Sequence, residues 1–325
     1  MQENKLISVE GLEIKFFLRK STVEAVNGIS FDINKGERVG LVGETGAGKT
    51  TTALAIMGLV PNPPGKVTAG TIKLDGENLL EKSKKDMEMI RGNDIAMIFQ
   101  DPMTSLNPVM TVGKQIAEVI HLHQDLSKSE ELEKAKEMME LVGIPRERFD
   151  EYPHQFSGGM KQRVLIAIAL ACNPRLLIAD EPTSALDVTI QAQVLELIDE
   201  LRQKLDMSLL LITHDLGVVA ETCDRVMIMY AGSIVESGTV RSVYKNILHP
   251  YTKGLFNSLP NLDVDTDRLE PIKGMMPDPT NLPQGCAFCE RCPYAIERCK
   301  TERPKLVEEE PGHFVACFCA LKGEK

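Results

Sequence analysis

The run Gly43-Glu44-Thr45-Gly46-Ala47-Gly48-Lys49-Thr50 constrains this chain more than any other stretch. Glycines at 43, 46 and 48 let successive backbone N–H groups curl toward one point. A lysine and a hydroxyl residue follow at once, which is the P-loop pattern when a strand precedes it and a helix follows. Residues 38–42 read as that strand and residues 49–59 as that helix. Such a turn presents N–H groups and a helix N-terminus to phosphate oxygens. Lys49 is placed to reach the β- and γ-phosphates and Thr50 to ligand Mg²⁺, with Thr51 in the same first helical turn.

The rest of the chain supplies a scaffold for such a loop. With 325 residues it can bury a substantial core, and 43% hydrophobic with 26% charged residues is ordinary for a soluble globular protein. Residues 95–99, 176–179, 209–212 and 226–229 are short, nearly all apolar runs, as strands covered on both faces should be. Alternating with helical patterns, they predict an α/β fold around a mixed, largely parallel sheet. Between 99 and 174 the pattern turns helical. Ser127 and Glu130 have capping-box spacing, Leu132, Ala135, Met139 and Val142 share one helical face, and Gly143 stands where a C-cap belongs. A helical subdomain at about 101–173 is expected inside an α/β domain of 1–240. Residues 241–325 form an extension broken by prolines at 250, 260, 271, 277, 279, 283, 293, 304 and 311.

A formal net charge of -10 argues against a surface built to grip nucleic acid. The N-terminus carries no apolar leader-like run, and the longest apolar stretch, 164–172, ends at Asn173-Pro174, well short of the roughly 20 residues a membrane helix needs. The expectation is a cytoplasmic chain that meets a membrane only through partners.

Two carboxylates, Asp180 and Glu181, follow directly on the strand at 176–179, at the strand end where α/β folds bind ligands. Asp180 suits Mg²⁺, and Glu181 suits the polarisation of a water attacking the γ-phosphorus. His214 follows the next strand and is placed to contact the γ-phosphate and that water.

With these residues in place, Phe156-Ser157-Gly158-Gly159-Met160-Lys161-Gln162-Arg163 resembles the signature motif of ABC ATPases, although the commonest family form has Gln where Met160 stands. The resemblance implies that Ser157, Gly158 and Gly159 hold the ATP of a partner subunit, so that two ATP molecules are sandwiched in a dimer. It also implies a Q-loop role for Gln100 in sensing Mg²⁺ and the membrane subunit. Ser184-Ala185-Leu186-Asp187 looks like the D-loop, with Asp187 at the dimer interface, Thr213-His214-Asp215 looks like the switch histidine, and Phe16 aligns with the adenine-stacking aromatic. The stretches Gln100 to Pro108 and His249-Pro250-Tyr251-Thr252 are similar to those of ATPase subunits of oligopeptide and dipeptide importers. That likeness implies a peripheral subunit on the cytoplasmic face of the cell membrane. Its partners are a second, related ATPase giving a heterodimer, two transmembrane permeases and, indirectly, a solute-binding protein. Importers of nickel or other small solutes share much of the pattern. A soluble ABC ATPase that acts without a membrane is the other alternative, although coiled-coil arms and a tandem cassette are lacking.

Six of eight cysteines crowd the tail: Cys286, Cys289, Cys292, Cys299, Cys317 and Cys319. In a reducing cytosol such clustering points to metal ligation rather than disulfides. The first three, followed by Pro293, are similar to a bacterial ferredoxin run, but the next gap is too long. The importer resemblance implies that Cys286, Cys292, Cys299 and Cys317 hold a 4Fe-4S cluster, leaving Cys289 and Cys319 over. Zinc is the rival, since four thiolates satisfy it equally. Either ion is expected to staple a tail too interrupted to bury a core of its own.

Overall fold

The computed structural model describes residues 4–100, 105–184, 186–258 and 272–321. Residues 101–104 of the run beginning at Gln100, Ala185 of the D-loop run, and Pro260 and Pro271 lie outside the described residues. In chain order the strands are β1 (Lys5–Phe17), β2 (Thr22–Asn34), β3 (Arg38–Val42), β4 (Gly65–Leu74), β5 (Glu77–Asn78), β6 (Ile95–Ile98), β7 (Leu176–Asp180), β8 (Ser208–Thr213), β9 (Arg225–Tyr230), β10 (Ser233–Thr239), β11 (Val307–Glu310) and β12 (His313–Val315). The helices are α1 (Lys49–Ile56), α2 (Lys84–Ile90), α3 (Val112–His123), α4 (Lys128–Leu141), α5 (Gly158–Leu170), α6 (Val188–Leu205), α7 (Leu216–Thr222), α8 (Val240–Lys245), α9 (Pro250–Asn257) and α10 (Glu297–Thr301).

The chain divides into two compact units. The first comprises Met1–Ile7, Ile33–Arg38 and Leu74–Ile212. Its strands β6, β7 and β8 run parallel, with Ile95 opposite Leu176 and Leu176 opposite Ser208. Every residue of the three is buried, which explains why their sequences are almost uninterruptedly apolar. The expected helical insertion is present: α3, α4 and α5 pack on one another, and no strand occurs among the described residues from 105 to 175. The reciprocal capping box at Ser127 and Glu130 starts α4, and Gly143, at φ 77°, follows its end. Ala135, Met139 and Val142 are buried and Leu132 half-buried, as their common face requires.

The second unit comprises Ser8–Asp32, Val39–Lys73 and Thr213–Lys325. Here β3 and β9 pair in parallel, Val39 opposite Arg225, while β10 lies antiparallel to β9 and β12 antiparallel to β10. The strand order β2-β1-β4 makes a separate sheet. The tail is therefore stitched into the P-loop unit. The border expected near residue 240 falls between β10 and α8, and the chain beyond it returns to pair β12 with Glu236 and Ser237 of β10. Helix α1 ends at Ile56 rather than 59, because Gly58, at φ 62°, leaves the helical region.

Candidate functional site

In the second unit β3 delivers the chain, wholly buried from Val39, into the phosphate-binding turn. The glycines there are sterically required. A β-carbon on Gly43 would lie 2.1 Å from the Met229 carbonyl oxygen, and one on Gly48 would lie 2.5 Å from that of Ala25, at φ 104°. The Ala47 N–H donates to the Glu44 carbonyl at 3.1 Å, and Ala47's own carbonyl accepts from the Gly232 N–H at 2.9 Å. Lys49 is buried, and its Nζ donates to the carbonyls of Gly43 (2.7 Å) and Glu44 (3.1 Å), lying along the inside of the loop. No side chain caps α1 at Gly48, so the backbone itself forms the helix N-terminus. Thr45, Gly46 and Thr50 are exposed and Thr51 half-buried. This cradle fits a polyphosphate: its donors are backbone N–H groups and an ammonium, and side chains at 43 and 48 would drive the loop off the backbone that supports it.

The same unit carries two other predicted residues. His214 is exposed at the end of β8, in a turn where the Asp215 N–H donates to Thr213 Oγ1 at 3.0 Å. Asp215 caps α7 by accepting from Gly217 N–H at 2.8 Å, a structural duty that fixes where His214 stands. Phe16 is half-buried near the end of β1, and a β-carbon on Gly65 would lie 2.8 Å from its ring. Its neighbour Phe17 is the more exposed aromatic of the pair.

In the first unit the structure brings Gln100 and Glu181 together: Gln100 Nε2 donates to Glu181 Oε2 at 2.7 Å, and Ser184 Oγ donates to the Gln100 carbonyl at 2.7 Å. Asp180 closes β7 and is buried; Glu181 follows at φ 46°, held by its N–H to the Ile212 carbonyl at 2.8 Å. Ser157 caps α5, its Oγ accepting from Met160 N–H at 3.4 Å, so the expected small-residue helix start is formed. A β-carbon on Gly159 would lie 2.7 Å from Ile190 Cγ2, so this glycine also permits the contact of α5 with α6. Exposed Asp187 caps α6 through Ile190 N–H at 3.1 Å. Gln100 and Asp180 each offer an oxygen donor of the kind Mg²⁺ takes, as does the Thr50 hydroxyl in the other unit.

The six tail cysteines are gathered in the second unit. The Cys286 N–H donates to the Cys299 carbonyl at 2.8 Å, Cys289 N–H to the Cys286 carbonyl at 3.0 Å, and Cys319 N–H to Cys317 Sγ at 3.3 Å. All are free thiols. Burial, reinforced by the neighbouring cysteines, pushes Cys286 up to about 11 and Cys317 up to about 12, so both are neutral at pH 7. The expected ligand set Cys286, Cys292, Cys299 and Cys317 is not formed as it stands: among the described residues no three His, Cys, Asp or Glu side chains make a group that could hold a metal ion. Neutral thiols have no mutual attraction to draw them into a coordination shell, and a metal must first displace their protons.

Sequence reasoning missed the residues that hold the P-loop from outside. Arg291, inside the cysteine stretch, forks onto Glu44, with Nη1 to Oε2 at 2.9 Å and Nη2 to Oε1 at 3.1 Å. The Glu44 N–H donates to the hydroxyl of buried Tyr251 at 3.0 Å. No local pattern signals either contact, since each partner lies more than 200 positions away in the chain.

Comparison with known proteins agrees with this geometry. Residues 26–184 match the family model described as ABC transporter, and residues 235–299 the model described as oligopeptide/dipeptide transporter, C-terminal region. The chain is 53% identical over 315 residues to the oligopeptide transport ATP-binding protein AppD of Bacillus subtilis, covering 96% of each chain. It is 50% identical over 316 residues to the dipeptide transport ATP-binding protein DppD of the same organism, covering 97% of this chain and 94% of that one. Among solved structures, the dimeric post-hydrolysis state of the ATP-binding cassette MJ0796 bound to ADP and Pi is 25% identical with a TM-score of 0.65, covering 72% of this chain and 99% of that one. Glycine cradle, strand-end carboxylates, capped Ser-Gly-Gly helix and full-length relatives converge: the chain belongs to the ABC transporter ATP-binding proteins, in the group that carries the oligopeptide/dipeptide transporter C-terminal region.

Proposed function

We propose that this ABC ATPase powers the import of dipeptides or oligopeptides through membrane permeases, working at the cytoplasmic face of the membrane as one of a pair of related ATPases. The observation that carries the reading is a sterically enforced glycine cradle in a chain that matches peptide-transport ATP-binding proteins over nearly its whole length. No helix among the described residues is long and apolar enough to cross a membrane, so the path for the peptide is assigned to partner subunits.

Within this reading the P-loop N–H groups and Lys49 take the β- and γ-phosphates. Lys49 exchanges its two carbonyl contacts for phosphate oxygens, a charge-assisted gain. Thr50, Asp180 and Gln100 are the residues that would hold Mg²⁺, which would neutralise charge on the phosphates. Glu181 accepts the proton of the attacking water. Its contact with Gln100 ties the proton acceptor to the segment that reports to a permease, so movement at Gln100 alters Glu181 directly. His214 contacts the γ-phosphate, Phe16 stacks on adenine, and Ser157, Gly158, Gly159 and Asp187 face the nucleotide of the partner ATPase. Closure of that pair around ATP, and reopening after hydrolysis, moves the permeases as rigid bodies. The cysteine tail is assigned a 4Fe-4S cluster on Cys286, Cys292, Cys299 and Cys317, with zinc as the alternative. The support is the crowding of six cysteines between positions 286 and 319 and the suitability of four thiolates for either group; no step of the ATPase is routed through it.

Lys49→Ala is expected to weaken Mg-ATP binding at least a hundredfold, while Glu181→Gln binds ATP normally and loses turnover by about a thousandfold, within the range expected for a lost catalytic base. Nucleotide binding and phosphate release measure these. Unchanged binding in the first variant, or undiminished turnover in the second, removes the assigned role. Deleting the gene should abolish uptake of a labelled oligopeptide, and peptide uptake at the wild-type rate would sink the peptide assignment.

A further inference from the structure

The cysteine tail reaches the phosphate-binding turn through one side chain. Arg291 lies in the single-turn helix Cys289–Arg291, between two of the clustered cysteines, and its side chain is only 7% exposed. Its guanidinium forks onto Glu44, the second residue of the P-loop, and its Nε donates to the Lys273 carbonyl at 3.1 Å. It also donates to the Tyr230 hydroxyl at 3.3 Å and faces the Tyr230 and Phe288 rings at 5.7 and 5.9 Å. Burial opposes the charge of Arg291, but the Glu44 carboxylate and the Tyr230 hydroxyl outweigh it and keep the guanidinium's pKa above its ordinary value. Glu44 is held at three points: its carboxylate by Arg291, its N–H by Tyr251, and its carbonyl by Lys49 Nζ. Tyr251, Tyr230 and Phe288 pack against one another with ring centroids 4.6 to 5.4 Å apart, so the guanidinium and the tyrosine hydroxyl are delivered from one aromatic cluster.

Glu44 is an acid placed in a loop whose ligand is a polyanion. Left bare, its charge opposes the phosphates and competes for Lys49; forked onto Arg291, it is neutralised and aimed away. A lysine could supply the charge but not the planar two-point grip. We propose that Arg291 is a positioning residue of the nucleotide site: the tail, through Arg291, neutralises Glu44 and sets the P-loop for triphosphate binding. This rests on the assignment of residues 43–50 to ATP. It goes further by giving the C-terminal extension a direct part in nucleotide affinity.

Mg-ATP titration of the full chain tests it. Arg291→Gln should weaken Mg-ATP binding about tenfold, equivalent to about 1.4 kcal/mol, and raise KM for ATP more than it lowers kcat. Adding Glu44→Gln should bring affinity back to within about threefold of wild type, because the stranded carboxylate is then gone. Arg291→Lys, a milder variant that keeps the charge, should show about a threefold loss. A purely structural salt bridge would lower Tm in Arg291→Gln, leave affinity alone, and gain nothing from the second substitution. Wild-type affinity in both Arg291 variants, or a loss that Glu44→Gln does not restore, overturns the proposal while leaving the ATP site intact. Failure of the wild-type chain to bind Mg-ATP overturns the phosphate-site assignment and this inference with it.

Discussion

Glu181 and Arg291 show what individual positions contribute. Glu181 has φ 46°, where a β-carbon crowds the backbone at a cost of order 1 kcal/mol. Its N–H to the Ile212 carbonyl and the Ser184 N–H to its own carbonyl hold it there, which aims the carboxylate at Gln100. The position of Glu181 was readable because two acids at a strand end are a local pattern; its conformation and its Gln100 partner were not. His249, by contrast, is fully buried. It caps α9 by accepting the Tyr251 N–H on Nδ1, and burial, against the pull of Glu236, drives its pKa down to about 4. The unfolded chain protonates this residue near 6.5, so it takes up the proton first as pH falls. Stability is therefore intact above about pH 6.5 and declines toward about pH 4, with a loss on the order of 3 kcal/mol from this residue. Urea unfolding midpoints should fall across that window in wild type and fall less steeply in His249→Asn; parallel pH profiles would remove His249 as the cause.

Elements were legible wherever their signals are short-range. Buried strands β6, β7 and β8 betrayed themselves by unbroken apolar runs, since both faces are covered. Helix α4 was marked at its start and end. Ser127 Oγ donates to Glu130 Oε2 at 2.6 Å, and the Ser127 N–H donates to the same oxygen at 2.8 Å. Ser127→Ala is expected to destabilise α4 by about 1 kcal/mol, because the first-turn N–H groups lose their reciprocal partner. Chemical denaturation should show a lower midpoint at unchanged slope, and an unaltered midpoint would mean packing on α3 and α5 alone sets the start of α4. Helix α1 was misjudged at its end because apolar residues continue to Leu59 and Val60, while the left-handed Gly58 breaks the backbone.

For the whole molecule, the instructive segment is the tail. Its prolines predicted a region without a core of its own, yet it is anchored by more than cysteine. Glu236 of β10, fully buried, accepts from the Leu248 and His249 N–H groups at 2.8 and 3.0 Å and lies 2.9 Å from His313 Nε2 of β12. If a cluster occupies the thiols, purified protein should contain about four iron and four sulfide per chain. Joint replacement of Cys286, Cys292, Cys299 and Cys317 by serine should abolish both and expose residues 272–321 to protease. Elemental analysis distinguishes zinc, and a chain with neither metal would leave the thiols as a packed, protonated group. The sequence by itself determined the glycine turn, the strand-end carboxylates, the Ser-Gly-Gly helix start and the parallel strands, because each is written in residues a few positions apart. Only the tertiary structure decided that the tail belongs to the P-loop unit and that Arg291 grips Glu44, because a salt bridge spanning 247 residues leaves no period or spacing in the chain.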